Sequence, residues 1–518
     1  EISCSLVGSE MCIRDSLKVG EKMLSEKELL NILDNKEKVN VEFKEAKRGV
    51  PKSIYETYYS FANTNGGMII LGVKEIKTGT AVNYEISGVE NANSIISDFW
   101  NTINSGKVNR NILKDADVYS LTVQGLELVI LHIPRALYNQ KPIYIGSNPY
   151  AGTFKRNFEG DYRCTKESVN SMIRDSFQNA GDNEILEWLN IGDLDKNTIA
   201  VYRTRFRNNN EGHIYEELSD KDFLTKMGAY RFDKKRNIEG VTSAGVLMFG
   251  KTETFNEIYH NVNLDYRDET NLFGDMRWSD RIIENGLWEK NLYNFITKVY
   301  PKLISEFPVP FQMKDSLQRN DETKLQVAAR EALVNSVIHA DFKEESCSIL
   351  VIKKDNYISY STPGLLRIPI EQIYQGGVSV PRNITLQKLF RFIGFGESAG
   401  SGYDKILAPS RAEGFQVPEL YENQDMRITN LKLWIVKKEH GALSGALEKP
   451  NHILNEKEQI VLNVIREFPN LNRKKIFEKT KIPLTSLDRY LDKLIALDLI
   501  QKKGSRKTVS YNVKNTDI

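Results

Sequence analysis

The spacing of hydrophobic positions changes several times along the chain, and each change marks an element. Ser53 to Asn63 carries apolar residues at helical spacing and predicts a short helix. Compact apolar runs then predict strands at Gly67–Val73, Val118–Val123 and Leu126–Ile133, so residues 24–177 alternate short helices with strands. Residues 182–323 combine amphipathic helices with one apolar run, Ala244–Phe249, read as a buried strand. A strong helix opens residues 324–436, which also hold most of the later glycines. Residues 437–454, with Gly441, Gly445 and Pro450, read as a linker, and residues 455–518 as a separate module. The pattern predicts an α+β multidomain chain without repeats.

Composition narrows the function classes. At about 100–200 residues per domain, 518 residues predict three or four domains. A hydrophobic fraction of 40% with 27% charged residues excludes a disordered or fibrous chain. No apolar run approaches the roughly 20 residues of a membrane span, so no membrane partner is expected. Four cysteines without paired spacing exclude a disulfide scaffold and a zinc ribbon, and six histidines form no HExxH.

The first residues need separate treatment. Leu6–Asp15, LVGSEMCIRD, is similar to a transposase sequencing adapter translated in one frame, so residues 1–22 are expected to be a library scar and disordered start. The alternative is a natural disordered N-terminus. Without Glu1 to Ser16 only Cys164 and Cys347 remain, the pattern of a reduced, cytoplasmic protein.

Charge is concentrated at the other end. From Asn455 onward there are 14 Lys or Arg against 8 Asp or Glu, a local +6 while the rest of the chain sums to −4. A basic patch confined to one small module is the electrostatic footprint of nucleic-acid binding. Ile460, Val461, Val464 and Ile465 predict a first helix, Arg473–Lys481 a second, and Leu487, Leu491, Leu494 and Ile495 the core face of a third. Leu499-Ile500 and Thr508–Val513 predict a hairpin. Helix, turn, helix and basic hairpin make a winged helix-turn-helix. Its third helix would offer Thr485, Ser486, Arg489 and Tyr490 to the major groove of double-stranded DNA. Lys502, Lys503, Arg506 and Lys507 of the wing would contact phosphates. The alternative is a winged helix used for protein contacts.

Two internal stretches resemble known families. Glu331, Asn335 and His339 lie at i, i+4 and i+8 and share one helix face, while Leu333, Val334, Val337 and Ile338 cover the others. The segment Arg330–His339 resembles the N-box of the GHKL ATPases, an α/β sandwich. That resemblance implies water activation by Glu331, and magnesium held on ATP by Asn335, with His339 on the same face. Two further pieces follow in family order: Ile358–Gly364, with Thr362 and Gly364, and the turn from Gly394 through Gly396 and Gly400 to Gly402. Glycines admit a phosphate close to the backbone, and the following helix start supplies free N–H groups. The sequence departs from the family at Thr362, where an aspartate reads adenine. Binding of ATP and Mg2+ is expected, with ATPase turnover left open.

Glu37 to Lys44, containing VEFK, and Phe61 to Val73, FANTNGGMIILGV, resemble the Schlafen AlbA-like domain, as does Phe154–Gly160. Lys44, Lys47, Arg48 and Lys52 cluster there and would hold phosphates. Some members of that family cut RNA with three carboxylates. The resemblance places that set on Glu37, Glu42 and Glu75, with Lys74 at the usual third position. The domain order resembles a bacterial group of transcriptional regulators often labelled RecG-like helicases, although no GxxxxGK[ST] occurs here. The leading expectation is a cytoplasmic DNA-binding transcriptional regulator that senses ATP. Its rival is a metal-dependent Schlafen-type nuclease acting on RNA or DNA, in phage defence and gated by the ATPase-like domain. An interaction scaffold with both sites degenerate is the third. A homodimer would suit paired half-sites.

Overall fold

The computed structural model describes residues 23–34, 39–78, 81–158, 160–177, 181–272, 276–307, 322–345, 347–396, 402–437 and most of 456–513. Residues 1–22, almost all of the expected linker, and Glu37 lie outside the described residues. The chain divides into two compact units, Glu1–Lys438 and Glu439–Ile518.

The first unit begins with a four-stranded sheet in the order Val41–Lys44, Gly67–Leu71, Leu126–Ile133, Val118–Val123. Its first pair is parallel and the others antiparallel. The helix Ile54–Asn63 covers one face, with Ile54, Tyr58, Tyr59, Phe61 and Ala62 buried. The strand expected to run through Val73 ends at Leu71, and Val73–Thr78 belongs to a separate hairpin with Ala81–Ile86.

A six-stranded sheet follows, in the order Asp280–Ile282, Val262–Asp268, Cys347–Lys353, Tyr357–Pro363, Ile428–Trp434, Glu419–Asn423. Val262–Asp268 runs parallel to Cys347–Lys353 and the remaining pairs are antiparallel. The sheet crosses the expected boundary at residues 323/324. One hydrophobic core runs from Leu186 to Leu433, so residues 182–323 and 324–436 are not separately cored. The reason is topological: a parallel neighbour needs a long crossover, and the segment from Asp268 to Cys347 supplies it.

Ala244–Phe249 is a helix, Ser243–Phe249, rather than a strand. All seven of its residues are buried, so the sequence shows no polar face from which to read a period. The Thr242 hydroxyl accepts from the Gly245 N–H at 3.1 Å and starts the helix.

In the second unit, helices Glu456–Glu467 and Arg473–Thr480 precede a hairpin of Ile500–Lys503 with Ser510–Val513. Leu487, Tyr490, Leu491 and Leu494 are helical and pack with Val461, Ile465 and Ile476 in one small core.

Candidate functional site

The helix Lys324–Ile338 starts with reciprocal caps: Thr323 N–H donates to Gln326 at 2.8 Å, and Gln326 N–H donates to the Thr323 hydroxyl at 3.1 Å. Tyr360 fixes it to the sheet by donating to Ala329 O at 3.2 Å. Thr362 lies two residues further along the same strand, on the same buried face, and pairs in register with Thr429. On the helix, Glu331 is only 3% exposed and Asn335 is half-buried.

Gly402 opens the helix Gly402–Ala412 directly against these two side chains. A Cβ there would lie 3.3 Å from Glu331 Oε2 and 3.6 Å from Asn335 Nδ2. The absent side chain lets the first turn of this helix pack closely against the carboxylate and amide. Free N–H groups at that turn, an amide and a carboxylate are a donor set that fits a metal-bound polyphosphate. Gly396 also reaches this helix, with a Cβ position 3.6 Å from Val334. Gly400 lies outside the described residues.

Gly394 is corrected to a helix stop. It has φ +74°, and Phe395 N–H returns to Phe390 O at 2.9 Å, closing the helix Ile384–Phe392. Its Cβ position meets Asn209 Oδ1 at 2.7 Å, away from the Glu331–Asn335 face.

His339 caps the C-terminus of the same helix and is half-buried. Burial, with Arg382 and Arg367 nearby, pushes its imidazole down to about 3, so it is neutral near pH 7. Arg382 was not expected from the sequence. Its Nη1 donates to His339 O at 2.7 Å, and its Nε and Nη2 hold Asp175 at 2.9 and 2.7 Å. Arg367 joins them at 3.1 Å from Asp175. Burial would raise Asp341, but Arg382 and Arg174 outweigh it and hold the carboxyl at about 2. The only local signal for Arg382 was a polar pair, Arg382-Asn383, directly before an apolar helix; Asn383 donates to Val337 O and Ala340 O.

In the N-terminal region Glu42 is 8% exposed and ion-paired to Arg156 at 2.7 Å and to Lys44 at 2.6 Å. Asp161 holds the other side of Arg156 at 3.1 Å. Lys44 is therefore occupied, and Arg48 pairs with Glu90 at 2.9 Å, whereas Lys47 is exposed. Glu75 is exposed on the hairpin. Among the described residues no group of three His, Cys, Asp or Glu side chains is placed to hold a metal ion.

In the second unit Tyr490 is corrected from groove-facing to core, at 7% exposure. Leu487, Tyr490, Leu491 and Leu494 follow i, i+3, i+4 and i+7 spacing, which places all four on one face. Lys502 is exposed. Thr485, Ser486, Arg489, Arg506, Lys507 and the Lys503 side chain lie outside the described residues. No helix among the described residues is long and apolar enough to cross a membrane.

Residues 37–165 match the family described as Schlafen, AlbA_2, and residues 347–429 the family described as recG C-terminal. Residues 170–265 match a domain of unknown function. None of the curated proteins compared with the chain matches it. Among solved structures, the DIP2311 protein of Corynebacterium diphtheriae is 15% identical over 98% of both chains, with a TM-score of 0.36. The N-terminal domain of a RecG-related protein from Nitrosomonas europaea is 27% identical, over 28% of this chain and 95% of that one, with a TM-score of 0.23. The chain thus carries a Schlafen AlbA_2 domain and, further along, a domain of the recG C-terminal family.

Proposed function

We propose that this chain is a DNA-binding transcriptional regulator whose recG C-terminal-type domain binds ATP with Mg2+. The carrying observation is the approach of Gly402 to Glu331 and Asn335. It brings the helix face and the start of the next helix together, as a phosphate site requires. Asn335 would hold the metal on the phosphates, and Glu331 would orient water for a slow ATPase. Thr362 lies on the neighbouring strand, and Gly364, just after it, lies against Asp341 and Arg382 beyond the end of the helix Lys324–Ile338. A nucleotide would bring the charge and the metal; the chain supplies the amide, the carboxylate and the helix start.

DNA is assigned to the second unit. Its order of two helices, the helical residues Leu487, Tyr490, Leu491 and Leu494, and a hairpin supports a winged helix, as does Tyr511 N–H donating to Leu471 O at 2.9 Å. That bridge adds the segment between the first two helices to the hairpin. The local +6 charge supports phosphate contacts. The Schlafen AlbA_2 domain contributes further nucleic-acid contacts through Lys47, and the paired state of Glu42 favours this role over metal-dependent cleavage.

The test is ATP binding to the full chain with and without magnesium, beside Asn335→Ala. Magnesium-dependent binding lost in the variant is expected; equal affinity in both proteins would overturn the assignment. Retention of a labelled duplex by the same chain, without its consumption in magnesium, checks the DNA assignment.

A further inference from the structure

The segment that follows strand Tyr357–Pro363 is held from two sides. On one side stands the candidate nucleotide face: Arg382 donates to His339 O at 2.7 Å, and a Cβ on Gly364 would lie 3.1 Å from Arg382 Nη1. On the other stand the Schlafen AlbA_2 domain and the helix that leaves it, Lys166–Ser176. Arg135 Nη2 donates to Leu366 O at 2.6 Å, and Arg135 Nη1 pairs with Glu422 at 2.8 Å. Glu422 in turn accepts from Leu366 N–H at 2.6 Å. Arg367 packs over the Tyr138 ring at 5.1 Å and pairs with Asp175.

Arg382 therefore touches both sides at once. Its guanidinium spends Nε and Nη2 on Asp175, Nη1 on His339 O and Nη2 again on Leu365 O. The residue is buried, as are the Arg135 and Glu422 side chains, so no solvent screens these contacts. A planar guanidinium with its donors committed in fixed directions cannot follow one neighbour without moving the other. Residues 364–367 cannot shift toward or away from a nucleotide without carrying Asp175 and Arg135 along or breaking their bonds.

We propose that Arg382 and residues 364–367 transmit nucleotide occupancy to the Schlafen AlbA_2 domain, through Asp175 and the Arg135–Glu422 pair. The transmission rests on the nucleotide assignment made above. Allosteric coupling of this kind is a difference in affinity between two arrangements, commonly about 5- to 150-fold. Asp175→Asn keeps the side-chain size and removes the charge that both arginines hold. Arg135→Gln cuts the second route and decides the matter alone if the first variant does not fold.

Hydrogen exchange of the full chain, with and without magnesium and ATP, separates the outcomes. In the wild type, exchange is expected to slow about fivefold or more in peptides covering Asn335–His339, and also in those covering Arg135–Lys141 and Lys166–Ser176. In the variants the first effect stays and the second falls below about twofold. If the Schlafen-side peptides do not respond in the wild type, or respond equally in the variants, the coupling is overturned while nucleotide binding stands. Absence of slowing at Asn335–His339 in every protein overturns the nucleotide assignment and the coupling with it.

Discussion

The Glu42 carboxylate accepts from Arg156 Nη2 at 2.7 Å across 114 residues of sequence, and both side chains are buried. Arg156 also lies 5.1 Å from the Phe61 ring and reaches Asp161, which Thr57 contacts at 2.7 Å. Strand Val41–Lys44, helix Ile54–Asn63 and hairpin Phe154–Arg163 meet at this guanidinium. An acid so engaged is a structural partner, and its charge is already matched by Arg156 and Lys44.

Glu42→Ala is therefore expected to act on stability. Removing one partner of a buried pair costs about 3–5 kcal/mol when the other charge is left alone. Here Asp161 still pairs with Arg156 and Lys44 with Glu42, so the loss is expected below that range, at about 1–3 kcal/mol. Urea unfolding of Glu42→Ala and Arg156→Met should show losses of that order, and the double variant should lose less than the sum. Neither Mg2+ nor Mn2+ should elicit Glu42-dependent cleavage of RNA or DNA. Metal-dependent cutting by the wild type, abolished in a fully folded Glu42→Ala, would restore the nuclease assignment.

Local pattern carried some of this and could not carry the rest. The stripe Glu331, Asn335, His339 was legible because an apolar helix with a polar row has few other readings. The strands Val118–Val123 and Leu126–Ile133 were legible for the same reason, period with turn residues between. Ser243–Phe249 was not, since a fully buried run has no face to reveal its period. Tyr490 was misplaced because an aromatic residue with a hydroxyl suits either a groove or a core, and only its spacing from Leu487 and Leu494 decides. The pairs Glu42–Arg156 and Asp175–Arg382 could not be found, because their members lie 114 and 207 residues apart.

Gly402→Ala tests the close approach of this helix start to Glu331 and Asn335. The added methyl would sit at ordinary to tight contact from Glu331 and Asn335, so the fold accepts it. The melting temperature should change by no more than about 2 °C, while affinity for magnesium and ATP falls about tenfold, or 1.4 kcal/mol. Calorimetric titration measures it; undiminished affinity would place the phosphates elsewhere.

His339 should leave a mark on acid stability. Its folded value of about 3 lies below the ordinary value near 6.5, through burial and then Arg382 and Arg367. Between those values the unfolded chain binds the proton and the folded chain does not. The contribution is intact above about pH 6.5 and is lost as pH falls toward 3, reaching about 2 kcal/mol at pH 5. Asp341, held at about 2 against an ordinary value of 3.8, changes stability only below about pH 5 and so does not enter a comparison of pH 7 with pH 5. Denaturant unfolding at pH 7 and pH 5 should show this loss in the wild type and a smaller one in His339→Asn. Equal losses would mean that the imidazole is protonated in the folded protein.

Lys502 and Tyr490 give opposite tests of the second unit. Lys502 is exposed on strand Ile500–Lys503, so Lys502→Ala should leave the melting of the module unchanged. If it contacts a phosphate, the slope of log affinity for duplex DNA against log salt should become shallower by about 0.9, equally for every duplex sequence. Tyr490 packs with Leu487, Leu491 and Leu494, and truncating a buried aromatic costs about 3–5 kcal/mol. Tyr490→Ala should therefore melt the module and abolish DNA binding through unfolding. Tyr490→Phe keeps the ring in the core and should keep DNA affinity. A Tyr490→Phe variant that melts normally but loses sequence preference would return this residue to the DNA-contacting face.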